Sequence, residues 1–276
     1  MVTRAELRDA IDRLGLGDAI VEIHVSLRSF PTVDGGPATL VGAFLDRGCT
    51  LVVPTMANGF FGIPSPPDRR PARNGTDYLA DDERAARRPW PGMADVYDPS
   101  RTETDPDLGA TPAYVAAHPD RIRARTGAGS LSALGPRAAE VMAAETDRDV
   151  YGPLRALVAA GGRVILMGVD LDRMTLLHLA EIEAGRRPFL RWSLGPDRTP
   201  VPCRGGECAD GFPNLAAALA PVETTATVGE SRWRVFDAAG AVARAADAIR
   251  SDPSITRCDA AVCIRCDDAI AGGPID

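Results

Sequence analysis

Lysine is absent from the 276 residues, so every one of the 31 basic side chains is an arginine. That excludes a lysine Schiff base and the lysine-bearing phosphate loop. No apolar run approaches the roughly 20 residues that a membrane-crossing helix requires. The opening Met1-Val2-Thr3-Arg4-Ala5-Glu6 lacks the apolar stretch of a leader. Neither a membrane partner nor export is expected, which leaves the cytoplasm. A formal charge of −7 makes nucleic acid a poor partner. No Gly-x-Gly-x-x-Gly follows a strand-like run, so Gly35-Gly36 and Gly161-Gly162 read as tight turns. Histidine is scarce at three residues, so imidazole chemistry has only His24, His118 and His178 to draw on.

What is present is ordinary globular material, 45% hydrophobic and 25% charged. The pattern predicts an α/β fold, a single domain over 1–276 with a mixed sheet and flanking helices. Thr3-Arg4-Ala5-Glu6 is a capping box ahead of Leu7, Ile11 and Leu14 at helical spacing. Strand-like runs at 19–25 and 49–54 bracket a helical stretch at 40–45, which makes a βαβ unit. Residues 56–107 are rich in Pro, Gly, Asp and Arg with little periodicity, and they read as a long irregular excursion facing a substrate. Helices are predicted at 112–117, through Ala138, Val141 and Met142, and from Tyr151-Gly152-Pro153. Arg163-Val164-Ile165-Leu166-Met167-Gly168-Val169 is the strongest buried-strand signal, and a site is expected at its carboxyl end. A helix over 172–184, a strand at 189–193, a loop holding Cys203 and Cys208, a strand near 225–228 and a helix over 236–250 complete the reading.

Several segments, in order, resemble the aminoglycoside 3-N-acetyltransferase family. They are His24-Val25-Ser26-Leu27-Arg28-Ser29, Val33-Asp34-Gly35-Gly36, Leu51-Val52-Val53-Pro54-Thr55, Tyr97-Asp98-Pro99, His118-Pro119-Asp120, Tyr151-Gly152, the 161–169 run and Thr175-Leu176-Leu177-His178-Leu179-Ala180-Glu181. The resemblance implies an acyltransferase fold, acetyl-CoA or another acyl-CoA as donor, and a small-molecule amine as acceptor. It also implies that Ser26, Leu27, Arg28 and Ser29 hold the cofactor's pantetheine arm or phosphates, and that Asp98 contacts substrate. A homodimer is left open.

Acyl transfer to an amine needs a base, because an ammonium has no lone pair. His178 and Glu181, three apart on a predicted helix, share one face, so the carboxylate can orient the imidazole. This pair is the expected catalytic machinery, with a surface pair as the bland alternative. Thr175, one turn earlier, reads as a substrate contact or as a helix cap. His24 reads as a core histidine, and His118 as the end of a helix.

Two features stand apart from the rest. Many relatives carry Arg-Ser-x-His-Pro-x-x-Ser where this chain has Arg123-Ala124-Arg125-Thr126-Gly127-Ala128-Gly129-Ser130, so Thr126 occupies the histidine position. That departure raises a second reading, a catalytically lapsed relative that binds CoA or another small molecule. Five of the six cysteines crowd the last third. Cys208, Cys258, Cys263 and Cys266 are the chosen ligands of a structural Zn, with Cys203 a rival for one place and free buried thiols the competing account.

Overall fold

The computed structural model describes residues 1–87, 96–146, 149–206 and 208–275. The capping box is formed: Glu6 N donates to the Thr3 hydroxyl and Thr3 N to the Glu6 carboxylate at 2.8 Å, opening a helix over Arg4–Arg13. Ten strands follow among the described residues: β1 (Ile20–Val25), β2 (Thr50–Pro54), β3 (Gly62–Ile63), β4 (Ile122–Arg123), β5 (Leu131–Leu134), β6 (Arg163–Met167), β7 (Phe189–Leu194), β8 (Pro200–Gly205), β9 (Glu223–Val228) and β10 (Ser231–Asp237). Seven of them form one sheet in the order β4-β5-β2-β1-β6-β10-β9, and β3-β7-β8 form a smaller one. The centre of the large sheet, β2-β1-β6, is parallel, and its outer strands are antiparallel.

Strand β6 explains the layering. Val164 and Leu166 face an apolar cluster with Leu154, Leu157, Leu176 and Ala245, whereas Ile165 and Met167 face another with Leu7, Ile11, Phe44 and Trp233. A strand buried on both faces needs an unbroken hydrophobic run, and that is what the sequence supplies. Helices Arg4–Arg13 and Gly36–Leu45 cover one face, and helices Gly152–Ala159, Leu176–Glu183 and Ala238–Ser251 cover the other.

Three expectations need correction. The predicted helix over 236–250 begins two residues later, because Phe236 belongs to β10 and the Asp237 carboxylate caps the helix by accepting from Gly240 N at 2.8 Å. The alternation Trp233, Val235 inward and Arg232 outward marks β10 as a strand. Cys203 sits in β8 and not in a loop. The helix over 172–184 is a 3₁₀ turn at Leu171–Arg173 followed by a helix at Leu176–Glu183.

The 56–107 excursion has more structure than its composition suggested, with short helices at Asn58–Phe61 and Tyr78–Arg87. The half-buried Asp105 carboxylate accepts from Asn58 N and Gly59 N, and partial desolvation pushes its pKa up. Its other acids are mostly spent locally. Asp77 caps the second helix, Asp82 pairs with Arg70 at 2.6 Å and Glu103 with Arg101 at 2.7 Å.

Candidate active site

The parallel strands β1, β2 and β6 end at one edge of the sheet, and a cleft of about 890 Å³ opens there. Such edges are where open α/β sheets place ligands, because the diverging loops leave a crevice. Residues 23–28 from the end of β1, Pro54 and Met56 from β2, and Val169 just after β6 line it. Asn58 and 106–110 close it from the excursion, so both ends of that segment face the cleft.

His178 reaches the cleft from the helix Leu176–Glu183. Its Nδ1 lies 2.8 Å from Glu181 Oε2, one helical turn on, as the spacing predicts. An Nδ1–H donated to that carboxylate leaves Nε2 as the basic nitrogen. Glu181 is itself held: Arg186 Nη1 donates to its Oε1 at 2.6 Å and to Thr256 Oγ1 at 2.8 Å, and Arg186 Nη2 donates to the Pro253 carbonyl at 2.5 Å. All three groups are nearly buried, with 7–13% of each side chain exposed, so their mutual contacts are screened little by water. The imidazole stacks on Tyr151 at 24° and meets the edge of Phe212 at 61°.

Gly206 packs its backbone against the ring. A Cβ built there would stand 2.1 Å from His178 Nδ1, so only glycine lets the backbone pass. Gly206 N also donates to the Tyr151 hydroxyl.

Of the residues expected to bind cofactor, Ser26, Leu27 and Arg28 line the cleft. Ser29 does not: its hydroxyl donates to the Ser26 carbonyl and bonds Ser231 Oγ at 2.7 Å, packing against Gly168. Thr175 lines the cleft and precedes the His178 helix, but its side chain makes no capping bond. Instead its N–H points at His24 Nε2, 3.4 Å away. Asp98 is exposed, accepts from Ser100 N at 2.7 Å and lies outside the cleft lining.

Thr126 is likewise outside. Its hydroxyl donates to the buried Glu145 carboxylate at 2.9 Å. His118 caps the helix Ala110–Ala117 away from the cleft, as expected. His24 is buried, as its strand position implied, but it also lines the cleft, with Nε2 3.2 Å from the fully buried Glu22 carboxylate.

Sequence reading missed Arg186, Gly206, Tyr151 and Glu22. The only signal for Glu22 was a charge inside an apolar strand run, and for Gly206 a glycine pair beside cysteine. For Arg186 no local pattern existed.

The Sγ atoms of Cys208, Cys258, Cys263 and Cys266 all lie within 4.8 Å of one another. Cys258 and Cys266 are buried with their sulfurs 3.6 Å apart. Burial raises the Cys266 thiol to about 11 and pushes Cys208 up too. Burial would also raise Cys263, but the Cys266 N–H and the neighbouring thiols outweigh it and bring Cys263 below its ordinary value. Cys203 is not in this set; its thiol faces the Ala128 carbonyl at 3.2 Å and forms part of the cleft wall. Cys49 is buried core, held up to about 11 by desolvation.

A mixed α/β sheet with a cleft at its carboxyl edge, lined by a histidine that a carboxylate holds from behind, defines the class of the protein. The chain belongs to the aminoglycoside 3-N-acetyltransferase family, whose profile matches residues 23–250. It is 37% identical over 194 residues to aminoglycoside N(3)-acetyltransferase IX of Micromonospora chalcea, covering 67% of this chain and 64% of that protein. The match thus spans a little under two thirds of that relative's length. The solved aminoglycoside acetyltransferase AAC(3)-Xa superimposes with a TM-score of 0.71 at 29% identity, over 91% of this chain and 93% of that one. AAC-IIIb, solved as a binary complex with CoASH, has the same fold at a TM-score of 0.70 and 22% identity, over 90% of this chain and 96% of that one. Among the described residues no helix is long and apolar enough to cross a membrane.

Proposed function

We propose that this chain moves an acetyl or other short acyl group from acyl-CoA to an amine of an aminoglycoside-like acceptor, with His178 as general base. The observation that carries the reading is the 2.8 Å contact from His178 Nδ1 to Glu181 at the wall of the cleft. As the amine nitrogen bonds to the thioester carbon, Nε2 takes its proton, and the C–S bond then breaks. The proton returns to the departing sulfur. Glu181 stabilises the imidazolium formed in between, and Arg186 keeps that carboxylate in place.

The developing oxyanion needs donors. The first N–H groups of a 3₁₀ turn have no partner inside it, and Leu27 and Arg28 open such a turn at the cleft. Arg28, exposed at the same place, suits a CoA phosphate. Asp107, Asp172 and Asp210 also line the cleft and suit a polycationic acceptor. Thr126 contributes no group to the cleft, so this chemistry runs without the histidine that many relatives carry there. A relative solved with CoASH supports the donor. The cytoplasm, where acyl-CoA and reduced thiols coexist, is the fitting compartment.

The same reading gives Cys208, Cys258, Cys263 and Cys266 a structural Zn²⁺. Four thiolates close the shell and leave no position for water, so the metal supplies rigidity and no chemistry.

Incubation of the protein with acetyl-CoA and a panel of aminoglycosides and other polyamines should release free thiol only when the right amine is present. Tight CoA binding with no thiol release from any amine would leave the lapsed binder as the reading; the intact His178–Glu181 contact favours the enzyme. Gly206→Ala should lower turnover by on the order of 10-fold or more, because the methyl must displace the imidazole, and the overpacking should lower the melting temperature as well. Wild-type turnover in that variant would mean the ring's position is not critical.

A further inference from the structure

We infer that the four-cysteine site is the clamp that sets the geometry of the His178–Glu181 pair, so that a Zn²⁺ held there governs turnover without touching substrate. The inference rests on the acyltransferase reading for its activity consequence alone, since the metal and the imidazole can be observed without it.

The donor set fits zinc. A tetrahedron of sulfurs about 2.3 Å from a zinc ion has edges of about 3.8 Å. The Cys258–Cys266 separation is 3.6 Å, and all four sulfurs fall within 4.8 Å. The sulfurs come from two distant stretches, Cys208 after β8 and the 258–266 segment, which runs into the last helix, Ile264–Ile270, with Cys263 as its N-cap and Cys266 in its first turn. A metal would join them.

Each stretch holds one side of the catalytic pair. Cys208 lies two residues past Gly206, whose backbone packs on the imidazole, and Ala209 and Asp210 continue the cleft wall. Cys258 lies two residues past Thr256, whose hydroxyl, with the Pro253 carbonyl, fixes Arg186 on Glu181. Both stretches also meet directly. A Cβ on Gly211 would fall 2.2 Å from the Thr256 carbonyl oxygen, and Asn214 Nδ2 donates to the Ile255 carbonyl at 3.0 Å. Glu181, Cys208, Thr256 and Cys266 line one small cavity, so the carboxylate and the thiols share a wall.

The sheet and its two apolar clusters include neither Cys208 nor any of the 258–266 thiols. Losing the metal should therefore loosen the walls around His178 and leave the core intact. The same geometry explains why a metal with no open position would matter to the reaction.

The experiment starts with metal analysis of the protein as purified, where about one zinc per chain is expected for a closed site. Zinc is then withdrawn from the wild type by chelator under reducing conditions, and separately by Cys263→Ser, which alters one of the two half-buried ligands. Imidazole signals are followed by ¹H–¹⁵N NMR, which has only three histidines to resolve. Expected are a shifted or broadened His178 signal with unchanged His118, kcat lower by on the order of 10-fold to 10²-fold with a smaller change in KM for acetyl-CoA, and recovery on adding Zn²⁺ back to the chelated protein. A chain without bound zinc overturns the inference. So does a zinc-free protein whose His178 signal is unmoved, or one that unfolds throughout, since the metal would then hold the fold and not the pair. If no amine is ever acetylated but the His178 signal still moves with zinc, the clamp stands and the acyltransferase reading alone falls.

Discussion

His178→Ala is expected to lose about 10²-fold or more in turnover while its affinity for acetyl-CoA stays near that of the wild type. The residues proposed to hold the cofactor sit on the turn after β1, and none of them depends on the His178 side chain. What the variant loses is the proton acceptor. Stopped assays of thiol release give kcat and KM, and equilibrium titration with CoA gives the affinity. If turnover fell less than about threefold, the base would have to be another group, and His24 at the same cleft would be the first to test. Glu181→Gln keeps the shape but removes the charge that stabilises an imidazolium, so a smaller loss, centred on kcat, is expected there.

Trp233→Ala should cost about 3–5 kcal/mol of stability, a large part of the roughly 5–15 kcal/mol that holds a domain together. Trp233 is fully buried in the middle of β10, stacked on Phe44 with ring centres 6.0 Å apart and edge-on to Phe30 at 6.4 Å. Its removal leaves a cavity between the sheet and the helix Gly36–Leu45 that the β-strand backbone cannot collapse to fill. Its Nε1 finds no hydrogen-bond partner in the described protein, so Trp233→Phe should cost much less, because it also removes an unsatisfied donor. Denaturant titration checks both. An alanine variant within about 1 kcal/mol of the wild type would show that the site repacks freely.

Much of the fold was legible because its signals are local. The capping box at Thr3 and Glu6, the apolar run of β6 and the βαβ unit at the start all follow from backbone geometry over a few residues. His178 with Glu181 was legible for the same reason: three residues on a helix is one turn, wherever the helix lies. β10 carries no clear signal of its own, and its last two residues, Phe236 and Asp237, read as the start of the following helix. Phe236 fits either period, and Asp237, the boundary signal, was passed over.

The rest required the folded chain. Arg186 reaches Thr256 across 70 residues of sequence, and nothing near either one announces the contact. Cys203 and Cys208 are equivalent by spacing, yet the strand β8 turns the first toward Ala128 and the cleft while the second joins the thiol cluster. Thr126 takes the place that the family resemblance gives to histidine, and in the folded chain it bonds Glu145 and lies outside the cleft lining.

By itself, then, the order of residues determined the first helix and the central strands, which faces are apolar, and which histidine has a carboxylate one turn away. Those are matters of dihedral preference and periodicity, settled within a dozen residues. Packing decided what surrounds that histidine: a glycine backbone against the ring, an arginine behind the carboxylate, and four sulfurs gathered from two stretches. Such contacts arise when burying apolar surface forces remote segments together, and no short window of sequence carries that information.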